Sequence, residues 1–224
     1  MRQAVVSLIS RGGVGPGDRI DNVDYDVVMR TCRQDGRLLV PDRPALAAPI
    51  QMLHMAFSGT HNPMVPHSFE IGEIWTTWTT LNDRYVFPLI FLSETTDVGV
   101  VSWSKLGLDD ANLQTSENYV IFYHGGALLG GISDLKKIQL GDPIAIPDIG
   151  VDKMELLHMS PLWTLNGSQV ALLGELGKYV TVSKERIKGL HLSVAAGGES
   201  TISLDIEVIS KEIEFATTGA ASLI

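Results

Sequence analysis

The side chains best suited to chemistry are scattered along this sequence rather than grouped. The six histidines are His54, His61, His67, His124, His158 and His191. The first three are separated by seven and six residues, which is not the short helical or strand spacing of a metal site. The single cysteine, Cys32, can form neither an internal disulfide nor a thiolate zinc site. The spacing therefore predicts no metal site.

No motif indicates a nucleophilic serine or a pair of catalytic carboxylates. Ser102, Ser160 and Ser183 lack the Gly-x-Ser-x-Gly elbow that presents a hydrolase nucleophile. The stretch HGGALLGG, residues 124–131, lacks the Gly-Lys-Ser or Gly-Lys-Thr of a phosphate-binding loop and favours a glycine-rich hairpin. Glycoside hydrolysis needs two placed carboxyl groups, and no motif distinguishes such a pair among the acidic residues. These patterns predict no catalytic residue and no cofactor.

Tryptophans offer a possible platform for stacking on a sugar ring. Trp75, Trp78 and Trp103 lie in segments rich in strand-forming residues. Because side chains alternate along a strand, Trp75 and Trp78 are predicted to point to opposite faces. At most one of this pair can then contact a ligand while the other joins the core. We take Trp75 as a candidate substrate-binding residue, with burial in the core as the simpler interpretation.

Composition excludes several classes of partner. Among the 224 residues, 45% are hydrophobic and 19% are charged, which supplies a packed core. The net charge of −9 disfavours nucleic acid, whose phosphates need a basic surface. No apolar run approaches the roughly 18 residues needed to cross a bilayer, so no membrane partner is expected. Asn166 begins a glycosylation sequon that would matter only in a secreted chain.

Two short helices are predicted in residues 1–40. Val5, Val6, Leu8 and Ile9 cluster at helical spacing, and a second helical stripe consists of Tyr25, Val28, Met29 and Cys32. Asp21, Asn22 and Asp24 precede the second stripe and can cap its free N–H groups. Asp35-Gly36 is expected to stop it. Residues 41–70 contain five prolines and predict a surface connector without regular structure.

From residue 71 onward the hydrophobic period becomes two. Apolar residues alternate in TISLDIEV and LHLSV, and turn-forming residues separate the apolar runs. This pattern is typical of antiparallel strands with one buried face, and so predicts a β-sandwich over residues 71–224. Pro88 lies inside an apolar run and predicts an edge strand or a bulge there. The fold class is therefore mainly β, with two short helices before an antiparallel sandwich.

Two segments resemble the end of the alpha-galactosidase and raffinose synthase-like glycosidases. Gly12-Gly13-Val14 with Asp18, followed by a helix and then by residues 34–45 (QDGRLLVPDRPA), is similar to the end of the family's (β/α)8 barrel. Residues 72–87 (GEIWTTWTTLNDRYVF) are similar to the family's next segment, where a tryptophan-bearing strand opens a C-terminal sandwich. The resemblance implies that residues 1–40 are the remnant of a barrel end, and it implies a carbohydrate as partner.

This resemblance also assigns expectations to individual residues. Asp18 would lie at the C-terminal end of the eighth barrel strand, where barrel enzymes bind substrate, and a turn or helix cap is its alternative. The family's catalytic carboxylates lie upstream of the matching segments, so the implied function is a non-catalytic part supporting a barrel. The alternative is a free-standing carbohydrate-binding or protein-interaction module. Without a barrel, Val5, Leu8 and Ile9 would lack a partner and could drive self-association.

Overall fold

The computed structural model describes residues 2–15, 17, 22–57, 71–109, 116–123, 135–194, 200–206 and 213–218. It is mainly β, with 43% of residues in strands and 16% in helices, and its sheets are antiparallel. This confirms the predicted fold class, a β-sandwich-like arrangement with short helices. The helices are α1 (Arg2–Ile9), α2 (Tyr25–Met29), α3 (Pro49–Phe57) and a short 3-10 turn, η1 (Ser104–Leu106). The strands are β1 (Leu46–Ala47), β2 (Glu73–Leu81), β3 (Tyr85–Ser93), β4 (Gly99–Val101), β5 (Asn118–Tyr123), β6 (Lys136–Gln139), β7 (Ile144–Ile146), β8 (Met154–Leu165), β9 (Ser168–Glu175), β10 (Ile187–Val194), β11 (Ser200–Ile206) and β12 (Ile213–Thr218).

An eight-stranded antiparallel sheet organises the molecule. Its main path runs β1-β2-β3-β8-β5-β6, and β9 joins β8 and β12. The first part of β8, Met154–His158, pairs with β3, whereas its last part, Leu162–Leu165, pairs with β9. Two further hairpins, β4–β7 and β10–β11, form separate two-stranded sheets. The long strand β8 therefore holds the two ends of the sheet together.

Both faces of the large sheet are covered. On one face, Ile90 and Leu92 of β3 share a cluster with Val101 and Ile144 from the β4–β7 hairpin. The side chains of the alternate residues point to the opposite face, where they meet α1 at one end and the β10–β11 hairpin at the other. Every residue of β3 is buried as a result. This explains why its sequence is a continuous apolar run rather than an alternating one.

The position of Pro88 matches neither the edge strand nor the bulge that the sequence predicted, since β2 and β3 pair in continuous register on both sides of it. Strand β3 lies inside the sheet, between β2 and β8. Its pairing with β8 covers only Leu89–Ser93 and so stops at the residue that directly follows Pro88. Pro88 therefore faces a partner only in β2, opposite Trp78. The missing N–H costs no ladder bond on the side where β8 has already turned away.

Helix α1 packs against the sheet and corrects an expectation about its apolar face. Val5 and Leu8 are fully buried and Ile9 nearly so, in a cluster with Phe91 and Tyr179. At the start of the helix, Arg2 forms ion pairs with Glu73 of β2 and with Glu94, which directly follows β3. The premise that Val5, Leu8 and Ile9 lack a partner is therefore wrong, since the chain's own core covers them. Self-association through these three side chains would require α1 to leave the sheet.

Two other sequence-based expectations change. The second helix ends at Met29 rather than at Asp35, although Asp24 caps it as predicted by accepting a hydrogen bond from the Val27 N–H at 3.1 Å. The connector 41–70 was predicted to lack regular structure, but it contains β1 and α3. Pro49 is the first residue of α3, where a proline is favoured because that position needs no N–H donor. The division into segments 1–40, 41–70 and 71–224 stays a prediction.

Candidate functional site

Only one of the two predicted site residues lies in the part of the chain that the structure describes. Asp18 lies outside the described residues. Trp75 lies on β2, half-buried, and packs against the same cluster that buries Val5 and Leu8. Trp78 packs against the cluster on the other side of the sheet, which confirms that the two rings occupy opposite faces. The assignment of Trp75 to sugar binding stays a prediction.

Residues 30–45, which we call the anchor segment, make specific contacts with β2. The guanidinium of Arg43 lies 3.8 Å from the ring centroid of Trp78, within the range of a cation–π interaction. The N–H of Asp42 donates to the carbonyl of Trp78 at 3.0 Å, and the Asp42 carboxylate accepts from the Thr80 N–H at 2.9 Å. The Thr77 hydroxyl donates to the carbonyl of Arg43 at 2.6 Å. These contacts hold the segment along the strand that carries both tryptophans.

The anchor segment also contacts the connection between β9 and β10. Arg33 is 4% exposed and donates from Nη1 to the carbonyl of Glu185 at 2.6 Å. Its Nε donates to the Asp35 carboxylate at 3.0 Å. The hydrogen bond from Arg33 lowers the pKa of Asp35 to about 2. The Ser183 hydroxyl donates to the carbonyl of Val40 at 2.8 Å, so the two chain segments are joined at both ends of the contact.

Two further donors fix the start of this contact. The Lys178 ammonium, with the residue 8% exposed, donates to the carbonyl of Met29 at 2.7 Å. The Tyr179 N–H donates to the carbonyl of Arg30 at 3.0 Å. Burial raises the pKa of the Tyr179 hydroxyl above its ordinary value. The end of α2 is therefore tied to the same connection that Arg33 contacts.

An ion pair is buried where this connection leaves the sheet. Arg186 donates from Nε to the Glu175 carboxylate at 2.8 Å, and the two side chains are 6% and 2% exposed. Removing either partner would leave a charge in a region that water does not reach. Its position at the ends of the connection suits it to fixing the chain path rather than to binding a ligand.

A small cavity lies where β3 and β9 separate along β8. Its walls include Pro41 of the anchor segment, His158, Ser160 and Thr181. It has room for about one water molecule. The His158 ring stacks on Phe122 with centroids 5.1 Å apart, and its Nδ1 lies 3.3 Å from the Thr181 hydroxyl. This volume is too small for a sugar or a cofactor.

Titratable groups are dispersed in the part of the chain that the structure covers. Within it, no three side chains from histidine, cysteine, aspartate and glutamate come together as a metal site would require. His54, His158 and His191 lie on α3, β8 and β10, whereas His61, His67 and His124 are outside the described residues. Across the described ranges, no helix has the length and apolar character of a membrane span.

Comparison with known proteins identifies neither a family nor a relative of the chain. No protein-family model matches the chain, and no curated protein matches it significantly. The residues that the structure distinguishes must therefore be interpreted from their own contacts.

The buried charged residues of the anchor contact were missed by the sequence reasoning. Arg33, Lys178, Glu175 and Arg186 stand in polar stretches that resemble ordinary solvated turns. Charged side chains are rarely buried unless they are paired, and a contact across 152 positions, such as that of Arg33 with the backbone carbonyl of Glu185, has no local signature. The only available signal was the QDGRLLVPDRPA stretch, in which Asp42 and Arg43 contact β2 and Arg37 forms an ion pair with Glu185 of the β9–β10 connection.

Proposed function

We propose that this chain is a non-catalytic β-domain of an alpha-galactosidase-like glycosidase and that it supports a catalytic barrel. The main support is a contact between the two segments that carry the resemblance. Residues 34–45 lie along residues 72–87, with Arg43 over Trp78 and Asp42 bonded to Thr80. Residues that carry the resemblance thus contact one another. Such contacts are expected if this chain joins a barrel to a sandwich in the same way as the family does.

The chemistry of the same residues favours a supporting role. A glycosidase needs one carboxyl group as acid and a second as nucleophile or base, both facing the substrate. In the anchor segment, Asp35 is bonded to Arg33 and Asp42 accepts from the Thr80 N–H. Both carboxylates are thus engaged in holding the chain. We therefore expect the isolated chain to leave an aryl alpha-galactoside intact.

A domain exchange tests this proposal. An alpha-galactosidase-like glycosidase is made with its own C-terminal β-domain replaced by this whole chain, so that α1 and the anchor segment stay with the sheet they pack against. We expect a soluble enzyme that hydrolyses an aryl alpha-galactoside, whereas the parent enzyme truncated before its β-domain should be inactive or insoluble. The matched control carries Arg43→Ala and should be less stable.

Two outcomes would contradict the proposal. One is an exchanged enzyme that aggregates although the isolated chain is folded by circular dichroism. The other is hydrolysis by the isolated chain that persists through repurification and disappears on Asp18→Asn, which would make Asp18 a participant in catalysis.

A free-standing carbohydrate-binding or protein-interaction module is the second candidate, and one observation favours it. Val5 and Leu8 of α1 are fully buried against the sheet, as expected for a helix that belongs to a complete domain. Titration of the chain with galactosides, followed by tryptophan fluorescence, tests the carbohydrate version. A saturable change that Trp75→Phe abolishes and Trp103→Phe retains would support this candidate over barrel support. Trp103 is a suitable control because it is 4% exposed on the other side of the sheet.

A further inference from the structure

Helix α3 exposes a set of apolar side chains in its second half. Met52 is 60% exposed, Leu53 49%, Met55 51% and Phe57 81%. Four of the twelve large apolar residues that are exposed in the described chain thus lie within six consecutive positions, so the exposure is concentrated rather than scattered. We call these four residues the α3 surface. Their exposed fractions correspond to a patch of about 400–500 Å², comparable to the largest apolar patch on a typical monomer, which is often functional.

Among the described residues, α3 packs against the rest of the chain through its first turn. Ile50 packs against the cluster that contains Trp103 and Leu106. Gln51 is 2% exposed, and its side-chain carbonyl accepts a hydrogen bond from the Ile74 N–H at 2.9 Å. Every residue of α3 after Gln51 is exposed. A helix shorter than about 12 residues is marginal in water without tertiary packing, and a helix without a polar face is normally covered. The second half of α3 is therefore suited to a partner.

The charge pattern around α3 indicates which partner fits. Residues 44–57 contain no aspartate, glutamate, lysine or arginine, although the chain has a net charge of −9. Two copies of so acidic a chain repel each other, and this repulsion is weakest where neither copy has a formal charge. In a two-fold symmetric contact the same patch of both copies meets. An apolar patch without charges is complementary to itself, which favours a second copy of this chain.

We propose that the α3 surface binds the α3 surface of a second copy of this chain in a two-fold symmetric dimer. Methionine side chains are flexible and fill irregular gaps. Phe57 is the most exposed of the four residues and supplies the aromatic contact area that contributes strongly at interfaces. Dimerisation through α3 does not require the proposed barrel.

The size of the α3 surface sets the strength of this dimer. Two such patches bury about 800–1,000 Å² in total, which is below the roughly 1,200–2,000 Å² of stable interfaces. Part of the gain from burial is offset by the lost translational and rotational freedom of the two copies. We therefore expect a weak dimer with a Kd of about 1–100 μM.

Sedimentation equilibrium of the full chain, at concentrations on both sides of about 1–100 μM, tests for this dimer. We expect the molar mass to rise with concentration from the monomer's 24.3 kDa toward twice that value. Met52→Glu and Phe57→Glu each place a carboxylate opposite an uncharged patch that carries the same new charge, and each should raise the dimer Kd by at least about tenfold. Val151→Glu is the matched control, because it makes the same change at an apolar residue that is 79% exposed and lies outside α3. It should leave the Kd nearly unchanged.

Both α3 variants should keep the fold, because the substituted side chains are exposed. Circular dichroism spectra and urea midpoints close to those of the parent verify this. Three results would overturn the proposal: the molar mass of a monomer at every concentration, a Kd that neither α3 variant changes, or a Kd that Val151→Glu raises as much as they do. The second and third results would place the dimer contact on another surface of the chain.

Discussion

Substituting Leu8 by alanine tests whether α1 belongs to the cooperative core. Leu8 is fully buried, in a cluster that includes Leu89, Phe91 and Leu156 from the sheet. Truncating such a leucine removes its transfer free energy and leaves a cavity, which together cost about 2–5 kcal/mol. The higher helix propensity of alanine offsets only a few tenths of a kcal/mol of this cost. We therefore expect Leu8→Ala to lower the free energy of unfolding by at least about 2 kcal/mol.

Val6→Ala in the same helix is the matched control. Val6 is 41% exposed, so its truncation should change the free energy of unfolding by about 0.5 kcal/mol or less. Urea unfolding followed by circular dichroism and by tryptophan fluorescence gives both values and tests whether the two probes coincide. Equal midpoints for the two variants would refute the reasoning. Helix α1 would then dissociate before the sheet unfolds, and its apolar face would again be available for self-association.

Three further predictions concern the anchor contact and the connection it binds. Gly174→Ala should be strongly destabilising, because φ is +83° there and a Cβ would come within 2.1 Å of the Thr181 carbonyl oxygen. Gly141→Ala also has a positive φ but meets open space, so similar urea midpoints for the two would show that the close approach has little effect. Glu175→Gln should cost about 3–5 kcal/mol because a neutral amide replaces the carboxylate that pairs with the buried Arg186, and a loss below about 1 kcal/mol in urea unfolding would contradict this. Because the pKa of Asp35 is lowered to about 2 in the folded chain, its stabilising effect should be complete above the ordinary pKa and be lost as pH falls through about 2. Asp35→Asn should thus be less stable than the parent at pH 7 and approach it near pH 2, and a difference independent of pH would contradict the role of Arg33.

The parts of the fold that follow from local sequence were predictable. Alternation in β10 and β11 reflects a sheet with one wet face, and Asp24 caps α2 because a carboxylate before a helix accepts its free N–H groups. The same rules failed where burial on both faces removes the alternation, as in β3. They failed again at Pro49, since the prolines of the connector were counted as interruptions although one of them begins α3.

The contacts of the anchor segment and of the β10–β11 hairpin could not be predicted, for a different physical reason. Arg33 meets Glu185 and Asn82 meets Leu190 across 152 and 108 positions, and their energies depend on burial that only the packed chain defines. The alternation in LHLSV and TISLDIEV places His191 and Asp205 on wet faces of two strands. Only the register, with Gly189 opposite Asp205, brings these two residues together.

The anchor segment also limits how the two proposed functions can differ. It connects α1 to the sheet, because the Ala45 N–H donates to the Ile9 carbonyl at 2.9 Å while Asp42 bonds to Thr80 in β2. A barrel joined to this chain would therefore meet a helix, an anchor segment and a sheet that already share one core. Any support would pass through surface contacts rather than through exchange of α1. Both proposed functions therefore predict that the chain keeps its fold when alone. They differ in what its surface binds, which is a catalytic barrel in one case and a carbohydrate or protein partner in the other.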